Sequence, residues 1–300
     1  SSEENILKII REELIDMREK YGDKRKTKII KKSIGSFSDE DLIPDEDVAI
    51  TVTNAGYIKR TPVTAYTRQG RGGKGRLGAK AKNDDFVEHL FIASTHAYLM
   101  IFTDDGQVFK MKVHEIPEGD TSARGKAVVN LVQLSSERKL VAVMPVRDFG
   151  EETYLTMVTK QGIIKKSSLA DYQNIRASGI NAINIDEGDE LLEVIRTDGK
   201  RQIFVATHDG MAVKFNESDV RPMGRVARGV RGVNLREGDY VVSVCSVSPE
   251  GNEKILSVSE KGFGKQTMVD SYRLTKRGGI GVINMKTTEK TGKVVAAFPV

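Results

Sequence analysis

The chain has 300 residues, of which 39% are hydrophobic and 30% charged, with one cysteine and a formal net charge of +5. This length and composition are enough for a sizeable core in one large or two smaller domains. The single cysteine, Cys245, excludes an internal disulfide framework, and no apolar run approaches the ~20 residues of a membrane-spanning helix. We therefore expect a soluble, cytoplasmic protein that makes no membrane contact.

The first predicted element is an amphipathic helix from about Glu3 to Lys20. Its apolar residues recur at helical spacing and form a narrow stripe typical of a coiled-coil seam, consisting of Ile6, Ile9, Ile10, Leu14 and Met17. Two hypotheses remain open for it: the end of a longer coiled coil, and a terminal helix packed on its own domain. A basic linker follows, so we assign residues 1–32 to helix and linker and residues 33–300 to a second domain.

From Val48 onward the hydrophobic pattern alternates with period two, which is typical of half-buried strands. Five such segments end in threonine or serine, and each is followed by two mostly polar residues and a glycine, the signal of a tight hairpin loop. The hairpin glycines are Gly56, Gly106, Gly162, Gly210 and Gly262. Their spacing predicts an all-β, propeller-like array of four-stranded units that start near residues 48, 98, 154, 202 and 254.

Each unit carries a second glycine, 17 or 19 residues after the first, with a basic residue within the three positions before it. These second glycines are Gly75, Gly125, Gly179, Gly229 and Gly279. In four units an asparagine stands five positions further on, at Asn130, Asn184, Asn234 and Asn284. Glycine permits tight turns and close approach of the backbone to a ligand, so we expect these loops to occupy the same place in every unit.

The first of these loops is the most highly charged of the five, and it contains no acidic residue. It runs Arg68-Gln69-Gly70-Arg71-Gly72-Gly73-Lys74-Gly75-Arg76. An open backbone combined with fixed positive charge suits a chain of phosphates. A nucleotide-binding P-loop is disfavoured, because Lys74 is followed by Gly75 instead of serine or threonine and the sequence predicts no helix there.

Further predicted phosphate contacts lie on the strand after each hairpin glycine and around each second glycine. They are Lys59, Arg60, Lys80, Lys82, Lys110, Arg124, Lys126, Lys165, Lys166, Arg176, Lys214, Arg228, Arg231, Lys265, Lys276 and Arg277. Because the repeat brings equivalent positions to one rim, we expect a basic belt that bends duplex DNA through backbone contacts, without base readout. A propeller that serves as a protein-interaction scaffold is the alternative from a different class.

Catalytic constellations are missing from the sequence. The four histidines are dispersed, and no Cys/His spacing fits a zinc site. The acid pairs Asp84-Asp85 and Glu151-Glu152 are expected to be solvated loop residues. We therefore predict that this chain has no catalytic residue, no metal and no cofactor of its own.

Gln69 to Gly75 resembles the gyrase A box, Q-R-R-G-G-K-G, with Gly70 where the box has arginine. Together with the segments Gly56–Pro62 and Asp39–Pro44, this motif identifies the chain as similar to the C-terminal domain family of the DNA gyrase A protein, over essentially its whole length. The resemblance implies a β-pinwheel whose blades exchange a hairpin with their neighbours, preceded by the end of a coiled coil. The C-terminal domain of a topoisomerase IV A-type subunit, which lacks a good box, is the alternative in the same class.

The resemblance also implies a function within a larger enzyme. The basic rim would wrap duplex DNA with positive handedness, anchored at the box, so that the holoenzyme introduces negative supercoils using ATP. The implied partners are the gyrase B subunit together with the N-terminal breakage–reunion part of the same polypeptide, in a bacterial A2B2 heterotetramer. The active-site tyrosine, ATP and magnesium lie elsewhere in that assembly, so this chain alone is expected to be non-catalytic. Gyrase domains usually have six blades, whereas the sequence has five complete repeats.

Overall fold

The computed structural model describes residues 3–23, 39–66, 85–135, 137–150 and 152–300, and the side chains of Asp39 and Asp41 are not described. The chain divides into two compact units, Ser1–Leu42 and Ile43–Val300. The basic linker and the predicted boundary between residues 32 and 33 lie outside the described residues.

The described part of the first unit is mainly the helix α1 (Glu3–Tyr21), as the sequence predicts. Acidic residues in its first turn and basic residues in its last turn complement the helix dipole. Lys20 Nζ lies 2.8 Å from Asp16 Oδ2 one turn earlier, and Gly22 N donates to Arg18 O at 2.9 Å where the helix ends. The apolar stripe is exposed, and neither hypothesis about what covers it is tested.

Ile43–Val300 is built from short strands. They are β1 (Asp47–Thr53), β2 (Tyr57–Pro62), β3 (Val87–Ser94), β4 (Tyr98–Thr103), β5 (Gln107–Lys112), β6 (Lys126–Ala127), β7 (Leu140–Val146), β8 (Tyr154–Thr159), β9 (Ile163–Ser168), β10 (Ile180–Asn181), β11 (Leu191–Thr197), β12 (Gln202–Thr207), β13 (Met211–Asn216), β14 (Val230–Arg231), β15 (Val241–Val247), β16 (Lys254–Ser259), β17 (Gly264–Met268), β18 (Leu274–Thr275), β19 (Val282–Ile283) and β20 (Val294–Pro299). Short 3-10 helices span Asp39–Leu42, Val63–Ala65, Val113–Glu115, Val128–Asn130, Leu169–Tyr172, Glu217–Asp219 and Val269–Ser271.

In the part of this unit that the structure describes, the strands form five sheets, numbered here as blades 1 to 5 in chain order. Each blade contains an antiparallel hairpin and a third strand that pairs with the first strand of the hairpin. The hairpins are β1–β2, β4–β5, β8–β9, β12–β13 and β16–β17, and the third strands are β3, β7, β11, β15 and β20. The predicted all-β, propeller-like fold with one N-terminal helix is confirmed, and in the described residues blades 1 to 3 have four strands, blade 4 has five and blade 5 has three.

The fourth strand of a blade comes from the blade that follows it. β6 of blade 2 pairs with β2 of blade 1, β10 of blade 3 with β5, and β14 of blade 4 with β9. Two short strands of blade 5, β18 and β19, pair with β13 of blade 4. This exchange ties each blade to its predecessor through backbone hydrogen bonds, as the family resemblance implies.

The hydrophobic cores lie between successive blades instead of inside one blade. Ile50 and Ile101 belong to one buried cluster, and Met100 and Met157 to the next. The same arrangement joins blades 3 and 4 and blades 4 and 5, where Phe204 packs edge-to-face on Tyr272 at 4.9 Å between ring centroids. Each such side chain contributes about 1.5–3 kcal/mol when buried, so one blade depends on its neighbours for its stability.

The glycine before each exchanged strand has a left-handed backbone, but in blade 5 it is two residues later than the sequence predicts. Gly125, Gly179 and Gly229 have φ values of +89°, +76° and +100°, and their counterpart is Gly281 at +86°. A Cβ on Gly281 would lie 2.1 Å from Ala212 O, just as one on Gly125 would lie 2.4 Å from Ile58 O. The assignment of Gly279 to this position is therefore wrong.

Because Gly281 and not Gly279 precedes the exchanged strand, the asparagine predicted for blade 5 is also at a different position from its counterparts. Asn284 lies three residues after Gly281, whereas Asn184 lies five residues after Gly179, so these two asparagines are not equivalent. Asn284 is buried, and its Oδ1 accepts a hydrogen bond from Tyr272 Oη at 2.6 Å. It therefore has a structural role inside the last core.

Candidate nucleic-acid interface

The basic residues around the second glycines lie on segments that run across the neighbouring blade. We define the exchange loop of a blade as the segment between its 3-10 helix and the glycine before its exchanged strand. The exchange loops are residues 116–125 in blade 2, 173–179 in blade 3, 220–229 in blade 4 and 272–281 in blade 5. The left-handed glycine lies 12 residues after the start of the 3-10 helix in blades 2, 4 and 5, but only 10 residues after it in blade 3.

The three longer exchange loops make an additional contact with the preceding blade. A parallel bridge joins Arg60 to Glu118, another joins Lys166 to Pro222, and Lys214 pairs with Leu274 in the same way. Among the described residues, the shorter loop of blade 3 has no parallel bridge to β5. The longer loops consequently cover the second strand of the preceding blade.

The lysines beneath these longer loops are buried. Lys59, Lys165 and Lys214 are 1%, 0% and 6% exposed. Lys59 Nζ donates to Asp120 O at 2.9 Å and to Thr121 O at 3.0 Å, and Lys214 Nζ donates to Val269 O at 2.9 Å. Lys165 Nζ donates to Ala182 O at 2.6 Å and to Arg225 O. Each ammonium group binds at least one backbone carbonyl of the following blade, and so fastens that blade to its neighbour.

Burial lowers the pKa of all three lysines, and it lowers that of Lys165 to about 8. A phosphate could reach these ammonium groups only if they released their carbonyls. Their predicted role as rim contacts therefore conflicts with their burial, and we leave Lys59, Lys165 and Lys214 out of the interface.

Lys166 is also buried, and it forms an ion pair between blades 3 and 4. Its Nζ lies 3.7 Å from Glu217 Oε1 and donates to Glu217 O at 3.1 Å, and the two side chains are 5% and 0% exposed. Thr197 Oγ1 donates to the same carboxylate at 2.6 Å. Lys166 is engaged inside this junction, so it is left out of the interface as well.

The other predicted contacts that the structure describes are at least partly exposed. Those on exchange loops or exchanged strands are Arg124, Lys126, Arg176, Arg228, Arg231, Lys276 and Arg277, and those on hairpin strands are Arg60, Lys110 and Lys265. The predicted residues Arg68 to Arg76, Lys80 and Lys82 lie outside the described residues, so the prediction that the box anchors DNA stays a prediction.

Several of these cations already have protein partners. Arg124 lies over the Tyr57 ring, 3.6 Å from its centroid, and Arg228 forms an ion pair with Asp186 of blade 3. Arg277 donates to Asp219 O at 3.0 Å and to Arg231 O at 3.2 Å, so the exchange loop of blade 5 is held against the 3-10 helix and the exchanged strand of blade 4. Such contacts orient the guanidinium groups and leave further N–H groups for a ligand.

Three more predicted cations contact protein oxygens. Arg60 pairs with Glu118 at 3.1 Å. Lys265 Nζ lies 3.4 Å from Asn284 O, and Lys110 Nζ donates to Gln173 O. In contrast, no side-chain partner is found within the described residues for Lys126, Arg176, Arg231 or Lys276, whose charges are therefore available to an external anion.

One cation of the same surface escaped the sequence reasoning. Arg225, on the exchange loop of blade 4, lines a cavity of about 430 Å³ together with Lys110 and Arg176. The predicted exchange-loop cations were the basic residues within the three positions before each second glycine, and Arg225 is four positions before Gly229. A search over the whole exchange loop would have included it.

The described residues contain no group of three or more His, Cys, Asp or Glu side chains that could hold a metal ion. The sulfhydryl of Cys245 is buried, and burial raises its pKa to about 12, which disfavours the thiolate needed for nucleophilic chemistry. In the same part of the chain, no helix is long and apolar enough to cross a bilayer.

Comparison with known proteins places this arrangement in one family. The sequence matches the family described as DNA gyrase C-terminal domain, beta-propeller, over residues 47–94, 97–147, 153–198, 201–248 and 253–300, one match per blade. The DNA gyrase A protein of Helicobacter pylori is 42% identical over 301 residues, covering 100% of this chain and 36% of that protein. The chain therefore spans about a third of the length of the curated relatives it matches.

Solved structures agree with this match. The C-terminal domain of DNA topoisomerase IV superposes with a TM-score of 0.74 at 29% identity, covering 86% of this chain and 79% of that one. The DNA gyrase A C-terminal domain superposes with a TM-score of 0.68 at 28% identity, covering 85% of this chain and 83% of that one.

Proposed function

Because the chain belongs to the DNA gyrase C-terminal domain family, we propose that its exposed exchange-loop cations bind the phosphate backbone of duplex DNA and bend the duplex across successive blades. The observation that carries this proposal is the recurrence of cations on the exchange loops of successive blades. Arg124, Arg176, Arg228 and Arg277 all lie on exchange loops, in blades 2, 3, 4 and 5. One contact per blade gives the spaced anchors that a bent polyanion needs.

The energetics are consistent with binding through the backbone. Bending 20–30 base pairs by 40–90° costs on the order of 1–6 kcal/mol, and a charged hydrogen bond contributes about 1.5–3 kcal/mol. Contacts on several blades can therefore offset the bending cost. No element of the described unit offers a recognition helix for base edges, so the binding is proposed to be independent of sequence.

We further propose that the chain acts within a gyrase holoenzyme. In that assembly it wraps DNA with positive handedness, so that ATP-driven strand passage introduces negative supercoils. Its partners are the gyrase B subunit together with the N-terminal breakage–reunion part of the same polypeptide, in an A2B2 heterotetramer of the bacterial cytoplasm. The chemistry, with its tyrosine, ATP and magnesium, belongs to those partners, and this chain contributes the DNA path.

A topoisomerase IV A-type subunit is the second candidate, because the topoisomerase IV C-terminal domain superposes with the higher TM-score of the two structures compared. Both candidates bind DNA, and they differ in whether the bound duplex has net positive writhe. The box-like sequence of residues 69–75 favours gyrase.

The deciding experiment relaxes closed circular DNA with a nicking–closing topoisomerase while the chain is bound, and then reads the topology after protein removal. Retained positive supercoils support gyrase-type wrapping, and DNA bound without a change in linking number supports the topoisomerase IV alternative. Binding across a salt series provides the control, with log affinity expected to fall against log salt with a slope of about −0.9 per phosphate neutralised. Absence of salt-dependent binding would overturn the DNA-binding function and leave the protein-interaction scaffold.

A further inference from the structure

The junction between blades 2 and 3 differs from the other junctions because its exchange loop has seven residues, whereas the other three have ten. At the equivalent position in blades 3 and 4, four residues after the hairpin glycine, Lys166 and Lys214 are buried. Here the shorter loop, residues 173–179, leaves Lys110 only half-buried. Lys110 Nζ donates to Gln173 O and lies 4.6 Å from the centroid of the Tyr98 ring. This ammonium is oriented from one side and accessible from the other.

The space left by the shorter loop is a cavity of about 430 Å³. Its lining comes from three blades and consists of Lys110, Asn174, Ile175, Arg176, Ile180 and Arg225. Three of these side chains are cationic, one is an amide, and none is a carboxylate. A cavity with this lining attracts an anion.

Two of the three cations have no competing partner inside the protein. Within the described residues, neither guanidinium forms a hydrogen bond, an ion pair or a ring contact, and only the backbone carbonyls of Arg176 and Arg225 are engaged. Arg228 on the neighbouring exchange loop, in contrast, is paired with Asp186. The cavity therefore concentrates positive charge that the fold does not neutralise.

Charge and geometry together select the ligand. A guanidinium presents a planar fork of donors that matches two oxygens of a phosphate, and an ammonium adds a point charge. Partial enclosure reduces screening by water, so these contacts are stronger than those of a fully exposed arginine. Asn174 offers a neutral donor to a third oxygen.

We propose that the Lys110–Arg176–Arg225 cavity is a phosphate-binding site that seats one phosphate of the DNA backbone and fixes the duplex where it crosses from blade 2 to blade 4. The proposal rests on the proposed function, since it specifies one anchor on the DNA path. It assigns to Arg225 a binding role, and it assigns Lys110 a role different from that of its buried counterparts.

The test compares DNA affinity and its salt dependence for Arg225→Gln, Arg176→Gln and a matched control, Arg236→Gln. Arg236 is an exposed arginine outside the cavity and outside the predicted interface. We expect each cavity variant to reduce the salt slope by about 0.9 and to weaken binding about tenfold, while the control changes neither. Melting curves identify any variant that fails to fold. Because Arg176 is exposed, its substitution is expected to disturb folding less than that of Arg225.

A second measurement distinguishes the source of the phosphate. The Nε–H resonances of Arg176 and Arg225 are followed while the 300-residue chain is titrated with inorganic phosphate, and separately with a short duplex at equal phosphate concentration. Shifts produced by the duplex at lower concentration than by inorganic phosphate support the proposal. Shifts produced by inorganic phosphate alone overturn it in favour of a free-phosphate site.

The two proposals fail in different ways. If wild-type binding is salt-dependent but both cavity variants retain its slope and affinity, the cavity is not an anchor and the DNA-binding function stands. If the wild-type chain shows no salt-dependent DNA binding, the proposed function is overturned together with this anchor.

Discussion

The junction between blades 2 and 3 and the junction between blades 3 and 4 place the same residue type in the same position with opposite results. Lys110 and Lys166 lie at equivalent points of β5 and β9, four residues after the hairpin glycines and close to the rings of Tyr98 and Tyr154. Lys166 is buried and pairs with Glu217, whereas Lys110 is half-buried at the rim of a cationic cavity. The length of the exchange loop and the residue that begins the 3-10 helix decide whether the lysine is a structural tie or a candidate ligand contact.

The partners of these lysines follow the same division. Lys166 is buried against Glu217 at the start of the 3-10 helix of blade 4. At the other junction the matching 3-10 helix begins with the buried Leu169, which offers Lys110 no carboxylate. One junction is thus a polar network enclosed by the loop, and the other is apolar inside and charged outside. A buried polar network is unfavourable when incomplete, so the first junction should be the more sensitive to substitution.

The largest effect is expected from Glu217→Gln. The amide keeps the shape of the side chain but leaves the Lys166 ammonium without a counter-charge, so we expect the free energy of unfolding to fall by about 3–5 kcal/mol. Urea denaturation of wild type and variant measures this loss of stability. The matched control at the other junction is Leu169→Met, which conserves volume and should cost less than about 1.5 kcal/mol.

Removal of the uncompensated charge provides a further control. The double variant Lys166→Met with Glu217→Gln should regain much of the stability, because no unpaired ammonium remains buried. If the double variant is as unstable as the single one, the ion pair does not account for the loss and the proposed difference between the junctions is incorrect.

Gly229→Ala should produce the next largest effect, about 3 kcal/mol. Gly229 has a left-handed φ of +100°, and a Cβ there would lie 2.6 Å from Ile164 O, so both strain and backbone collision oppose the side chain. Gly224→Ala, on the same exchange loop, meets no heavy atom within 4 Å and should change stability by less than about 0.5 kcal/mol. Equal effects at the two glycines would contradict the assigned role of Gly229 in the exchange.

The buried Lys165 should also make the free energy of unfolding depend on pH in the alkaline range. Burial lowers the pKa of Lys165 from 10.5 to about 8, so between these values the unfolded chain binds a proton that the folded chain does not. Lys165 should therefore contribute a free energy of unfolding that rises with pH across this window, by about 3 kcal/mol in total. The raised pKa of Cys245 acts in the opposite direction, so the contribution is measured as the difference between wild type and Lys165→Met in urea denaturation from about pH 7.5 to 10.5. Lys110→Met should keep the pH profile of the wild type. An unchanged pH profile in Lys165→Met would show that another group titrates.

The sequence predicts the blades well because each blade repeats a local signal. Period-two alternation, a threonine or serine and a hairpin glycine recur five times, and the backbone geometry they require is local. Gly210 illustrates this, since its φ of +84° is what the hairpin turn demands. The sequence does not identify Gly281 as the glycine before the exchanged strand of blade 5. Gly278, Gly279 and Gly281 occur close together, and only the pairing of the next residues with β13 distinguishes them.

The sequence could not distinguish the tying lysines from the interface. A lysine follows each hairpin glycine by three or four residues, and whether it is buried depends on a loop from the next repeat. The 17-residue spacing at Gly179 was visible, but its consequence, an uncovered Lys110 facing Arg176 and Arg225, required the exchange of strands between blades. Contacts that join separate repeats are the part that periodicity does not encode.

The smallest predicted effect concerns the exposed cations of the two junctions. Arg228 is paired with Asp186, whereas Arg176 has no carboxylate partner in the described residues, so bound DNA must displace an anion at one junction only. Exposed ion pairs contribute about 0.2–1 kcal/mol, and Asp186→Asn should therefore tighten DNA binding about two- to fivefold. The matched control is Glu187→Gln, which removes the same charge from an exposed neighbour without freeing Arg228. Titrations at several salt concentrations separate the two explanations: equal gains in both variants indicate only a change in overall charge, and a gain confined to Asp186→Asn assigns Arg228 to the DNA path.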